Sequence, residues 1–127
     1  MRVYADTSAM IALYQNHPKT REVEAYCLGC KILISRLTLV EFRSAIFRAM
    51  RRGDINLVQA RTVIDAFRRD LTKYTVRELS PAVLRRAHDL IENHARTRNL
   101  RSLDAIQLAA AVELPASLSV VHFVTLD

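Results

Sequence analysis

The 127-residue sequence predicts a single α/β domain in which a mostly parallel sheet lies between layers of helices. Short apolar runs rich in β-branched residues occur near both ends and at 31–35, and read as buried strands. Stretches with helical periodicity separate them, as parallel strands require of their crossovers. Half the residues are hydrophobic and only two are glycine, so the chain reads as a compact, helix-rich globule rather than a disordered one. A chain of this length buries roughly two-thirds of its unfolded surface around one core.

Arg2-Val3-Tyr4-Ala5 is the first strand, stopped by Asp6-Thr7-Ser8, three residues suited to opening a helix. Ser8 to Tyr14 is a short apolar helix, broken at His17-Pro18. Lys19 to Leu28 is a second helix with Val23, Tyr26 and Cys27 on one side and Gly29 as its C′ residue. Lys31 to Ser35 is the second strand. From Arg36 to Arg52 the period is helical, with Leu39, Phe42, Ile46 and Met50 in one stripe and Gly53 at the end. Asp54 or Asn56 starts the next helix, which carries Val58, Ile64, Phe67 and Leu71. Lys73 to Leu79 is a weaker third strand, and Ser80-Pro81 is a cap followed by proline at the first helical position. Val83, Ala87, Leu90, Ile91 and His94 trace that helix's inner face. A basic loop, Arg96 to Arg101, leads to a helix capped by Ser102, whose face is Ile106, Gln107, Ala110, Ala111 and Leu114. Its Ala109-Ala110-Ala111 run allows close approach to a sheet. Val120 to Thr125 is the fourth strand, and Leu126-Asp127 closes the sequence.

The net charge of +6, almost all of it from arginine, favours a polyanion or an acidic protein as partner over a small neutral ligand. No apolar run approaches the roughly 18 residues of a membrane span, and the start lacks a signal-peptide layout, so a cytoplasmic protein with no membrane contact is expected. Cys27-Leu28-Gly29-Cys30 is a lone C-x-x-C. Without a second ligand pair, and between a helix and a strand, it reads as two ordinary thiols rather than a zinc or redox site. His88 and His94 read as surface or half-buried histidines.

Four acidic residues fall where a parallel sheet gathers ligands, at the carboxyl ends of its strands. Asp6 and Asp127 each follow a strand, Glu41 lies in the helix after the second, and Asp104 opens the helix before the fourth. Each of the first three has a structural reading beside the chemical one. Asp6 can cap its helix. Glu41 can close a capping box with Thr38, unless Ser35 is the true cap, which leaves Glu41 free to face a cleft. Asp104 sits in a first turn, where the helix dipole favours an anion by about 0.3–1 kcal/mol.

Asp6-Thr7-Ser8, Leu39-Val40-Glu41-Phe42-Arg43, Leu103-Asp104-Ala105-Ile106-Gln107-Leu108-Ala109 and the closing Val124-Thr125-Leu126-Asp127, in that order, resemble the PIN-domain ribonucleases. Among these the chain looks most like the VapC-type toxins of toxin–antitoxin pairs, and the resemblance runs over essentially its whole length. It implies a three-layer α/β/α PIN-like fold with a four- or five-stranded sheet, formed by residues 1–127. Members of the family continue through a short helix into a further strand, which this sequence, ending at Asp127, is expected to lack. The family's acids map onto Asp6, Glu41, Asp104 and Asp127, with Thr7 or Ser8 as an accessory polar group. The resemblance further implies a ribonuclease leaving 5′-phosphate and 3′-hydroxyl ends, an antitoxin partner and a homodimer. Arg43, Arg48, Arg98 and Arg101 lie nearest the acids in sequence and are the candidates for holding RNA phosphates, alongside an ordinary role as solvated charge.

Electrostatics points the same way. Two carboxylates about 4 Å apart repel by roughly 4 kcal/mol at an effective dielectric near 20, so several of them together call for a cation. A ligand set made only of oxygens selects a hard ion, Mg²⁺ or Mn²⁺. Phosphoaspartate proteins fit less well, because Asp6-Thr7-Ser8 is not Asp-x-Asp and the acidic pair and late lysine of a receiver domain are missing. The remaining alternative is a catalytically inactive PIN-like module that holds RNA or a protein.

Overall fold

In a computed structural model of the protein, residues 1–119 and 122–126 are described. Among them, β1 (Arg2–Ala5), β2 (Lys31–Ser35), β3 (Thr75–Arg77) and β4 (His122–Val124) form one sheet in the order β3-β2-β1-β4, with every pairing parallel. Tyr4 lies beside Leu33 on one side and Phe123 on the other. The expected fourth strand is seen over His122–Val124, while Val120, Val121 and Asp127 lie outside the described residues. The third is shorter than expected because Leu71–Lys73 winds into a 3₁₀ turn.

Alternation along β1 explains the three layers. Val3 and Ala5 point into a core shared with α1 (Thr7–Tyr14), α2 (Thr20–Cys27), α3 (Arg36–Arg51) and α4 (Leu57–Asp70). Tyr4 points the other way, into a core shared with α5 (Pro81–His94) and α6 (Ser102–Val112). The chain builds β2 and β3 outward on one side of β1 and then returns to lay β4 on the other. The carboxyl end of β1 therefore sits where the winding reverses, the place at which open α/β sheets form a crevice.

Helix starts follow local chemistry. Ser35 caps α3 by accepting the Leu37 amide, and Asn56, not Asp54, starts α4 through a reciprocal capping box with Gln59. Ser80 accepts the Val83 amide ahead of Pro81, and Gly29 takes a left-handed φ of 75° after α2. Three expectations are corrected. Ser102 is the first helical residue of α6 rather than its cap: Arg101 holds that position, and Asp104 reaches back to its amide. Val58 is 74% exposed, since the buried stripe of α4 is Ala60, Ile64 and Phe67, and a residue two places before Ala60 lies roughly 200° around the helix. His94, placed on the inner face of α5 by its spacing, is exposed at the helix's last turn.

The larger core is anchored by Phe42 and Phe67, stacked with ring centroids 4.1 Å apart, and Tyr14 meets both edge-on. The Tyr14 hydroxyl donates to Asp70 at 2.7 Å and also contacts the Tyr74 hydroxyl. Phe67 is fully buried, so Phe67→Ala should lower unfolding free energy by about 3–5 kcal/mol, read as a fall in the denaturant midpoint. The bond from Tyr14, with help from Lys73, holds the Asp70 carboxyl below its ordinary range. A lowered folded-state value means the contribution is complete above the unfolded pKa of about 3.9 and is lost as pH falls through the lowered one. Asp70→Asn should therefore flatten the acid limb of stability against pH, measured by thermal unfolding between neutral pH and pH 2.

Candidate functional site

The crevice beyond β1 is built from three chain segments that end or begin there. Asp6 leaves β1 and caps α1: its Oδ1 accepts the Ala9 amide at 3.1 Å and the Ser8 hydroxyl at 2.6 Å. Among the described residues Oδ2 accepts nothing from the protein. By strand parity Asp6 falls on the α6 side, with Tyr4. There it lines a cavity of about 280 Å³ together with Asp104, Gln107, Asn99, Phe123 and Thr125.

Glu41 does not curl onto its own helix. With Ser35 capping α3, Glu41 lies in the second turn, and its Oε1 accepts the Thr7 hydroxyl at 2.7 Å and the Gln107 amide at 2.8 Å. Its other oxygen is unengaged among the described residues. Glu41 and Asp104 line a second, larger groove of about 740 Å³, along with Thr7, Ser8, Arg48 and Arg101. Asp104 belongs to both spaces and so joins them. Its Oδ2 is held by the Arg101 backbone amide at 3.4 Å and lies 3.5 Å from the Arg101 guanidinium.

Among the described residues all three carboxylates share one pattern: one oxygen accepts from protein donors and the other accepts from none. The structural readings of Asp6 and Asp104 therefore hold, and each uses one oxygen. Yet the described residues contain no three acidic, histidine or cysteine side chains close enough to form a ready-made metal centre. Asp6 pairs with Asp104 across one cavity and Glu41 with Asp104 across the next. As donors they suit a hard cation, being all oxygen and each with a free atom. Asp127 lies outside the described residues.

The accessory hydroxyls split their work. Thr7 serves Glu41, whereas Ser8 serves Asp6 and accepts the Leu126 amide at 2.9 Å, which ties the segment after β4 to the start of α1. Of the four arginines, Arg48 and Arg101 line the groove. The Arg43 guanidinium instead donates to the Leu39 carbonyl of its own helix, and Arg98 is an exposed loop residue that lines neither space. Helical spacing carries this signal: Arg48 is two turns beyond Glu41 on the same face, while Arg43 is roughly 200° around.

Sequence reasoning missed the polar residues beneath the acids. Gln107 is only 5% exposed, and Tyr4 and Thr38 are fully buried. The Tyr4 hydroxyl donates to Gln107 Oε1 at 2.7 Å, while Gln107 Nε2 lies within hydrogen-bond distance of Thr7, Thr38 and Glu41. Burial holds the Tyr4 phenol far above its ordinary range, so it remains a protonated donor. The available signal was an amide inside an otherwise apolar helix stripe, since buried amides require partners.

A family model for the PIN domain matches residues 3–125. The chain belongs to the PIN-domain family. Its fold agrees with that of VapC20 from Mycobacterium tuberculosis, described as a sarcin-ricin loop cleaving toxin, at 17% identity and a TM-score of 0.72 over 98% of this chain and 89% of that one. VapBC2 from Rickettsia felis, bound to a DNA fragment from its promoter, matches at 16% identity and 0.62 over 88% and 80%. A toxin–antitoxin complex from Klebsiella pneumoniae matches at 20% identity and 0.61 over 87% and 78%. No curated protein matches by sequence.

The cap that Asp6 makes in this PIN domain can be isolated by substitution. Asparagine caps a helix as well as aspartate, so Asp6→Asn should leave unfolding free energy within about 0.5 kcal/mol of the parent, whereas Asp6→Ala should cost about 0.5–2 kcal/mol by losing the cap. Urea denaturation of the two variants side by side measures the difference.

Proposed function

We propose that this PIN domain is a metal-dependent ribonuclease of the VapC toxin type, hydrolysing RNA phosphodiester bonds to leave 5′-phosphate and 3′-hydroxyl ends. The observation that carries the reading is the gathering of Asp6, Glu41 and Asp104, three carboxylates from distant segments, around two adjoining spaces at the sheet's carboxyl rim. The chemistry Mg²⁺ or Mn²⁺ supplies in such a setting is a Lewis acid that offsets the carboxylate charge, acidifies water and stabilises charge on the leaving oxygen.

The chain's own residues have distinct parts in this reading. Asp6 and Asp104, which line the smaller cavity, would hold the ion, and Glu41 would be a further ligand or orient the attacking water. Asp127 completes the acidic set by its place in the family pattern. Ser8 and Thr7 keep Asp6 and Glu41 aimed outward. Arg48 and Arg101 receive the RNA backbone, and Arg43 and Arg98 contribute positive field from further off. The likeness of its fold to toxin–antitoxin complexes supports a small antitoxin as partner and, with it, toxin biology in the cytoplasm. The family resemblance adds a homodimer to this reading.

A second reading, an inactive module that holds RNA or a protein, is favoured by one observation: no three-acid cluster is preformed among the described residues. Cleavage assays separate the two. Purified protein should cut RNA when Mn²⁺ or Mg²⁺ is present and stop when EDTA is added. Asp6→Asn, folded and capped as before, should be slower by at least about 10²-fold, because the lost interaction is worth several kcal/mol in the transition state. No metal-dependent cleavage, or cleavage undiminished in Asp6→Asn, would overturn the nuclease reading in favour of the binding module.

A further inference from the structure

We infer that Gln107 is a positioning residue for the acidic site, fixing through its side-chain amide which oxygen of Glu41 faces the groove; the inference rests on the nuclease reading above. Gln107 bonds to Glu41 and to β1 at once, with the Tyr4 hydroxyl on its Oε1 and Glu41 Oε1 on its Nε2. The orientation of this amide is not optional. Flipped, its carbonyl would oppose a carboxylate at 2.8 Å, and neither atom could supply a proton. Nor can Thr7 relieve the clash, since its single hydroxyl proton already serves Glu41. Tyr4, buried and protonated, supplies the donor that keeps the amide carbonyl turned toward β1.

Both donors, Thr7 and Gln107, act on the same atom, Glu41 Oε1. Glu41 is thereby pinned by one oxygen and presents the other, which limits it to a single bond toward a cation or a water in the groove. A bidentate clasp would have to displace Thr7 or Gln107 from Oε1, whose two acceptor positions they fill. Helix α6 therefore contributes to the site twice over, directly through Asp104 and indirectly through the residue one turn later.

The test is Mn²⁺ binding to the full, metal-stripped chain, followed by calorimetry or by the loss of the free-ion electron paramagnetic resonance signal. Gln107→Leu removes the donor at similar volume and should weaken Mn²⁺ binding about tenfold or more, the range typical of partners that orient a ligand. In a Glu41→Ala background the same substitution should add no further weakening, because Gln107 acts through Glu41. A merely structural role predicts instead a similar loss in both backgrounds, and that result, or Mn²⁺ binding unchanged in Gln107→Leu, overturns the inference while leaving the nuclease reading intact. A wild-type chain that binds no Mn²⁺ at millimolar concentration sinks both. Gln107→Met, equal in length and unbranched, repeats the measurement if the leucine variant misfolds; failure of both to unfold cooperatively assigns Gln107 to the fold and not to the site.

Discussion

A primary amide sunk beneath the rim of a parallel sheet must satisfy both its ends inside the protein, and that requirement organises the region around β1. Gln107 meets it with Tyr4 on one side and with Thr7, Thr38 and Glu41 on the other, so that β1, α1, α3 and α6 are all tied to one side chain. No buried side-chain nitrogen or oxygen among the described residues lacks a partner. A network that complete is rigid, and rigidity is what a site for a small hard ion demands of its ligands. Hydrophobic packing brings the layers together; hydrogen bonding decides how they are indexed against one another.

The same economy governs the acids. A carboxylate has two oxygens, and among the described residues the chain uses one of each pair as a structural acceptor. Asp6 and Asp104 stand at the N-terminal ends of α1 and α6, where each helix presents roughly half a positive charge. Two such ends facing one cavity temper the repulsion of the anions placed there. The Arg101 guanidinium, 3.5 Å from Asp104, adds a mobile positive charge from the solvent side, in an exposed pair of the kind that contributes little to stability and is readily exchanged.

Much of this was legible in the sequence, and the reasons differ by residue. Layer order followed from strands alternating with helices, and the place of Asp6 from the polarity of one short strand. Glu41 was ambiguous because Ser35 and Thr38 are both good caps; burial settles it, since the Thr38 hydroxyl is engaged by Thr7 and Gln107 and is not available to an amide of its own helix. Gln107 itself was read as part of a packing face because its partners lie up to 103 residues away and no local pattern announces them. Val58 failed for the opposite reason: an apolar residue at the head of a helix was assigned to the core by type when the stripe excluded it by angle.

Helix α6 carries small buried residues, Ala105, Ala109, Ala110 and Ala111, in the core it shares with α5 and with Tyr4 and Leu33 of the sheet. Such positions act as a shim: the number of carbons on them sets how closely α6 seats in that core, and with it where Asp104 stands at the helix's front end. The stand-off between two anions is here machined by methyl groups, and a PIN domain with bulkier residues along the same seam would hold its acids at a different bite.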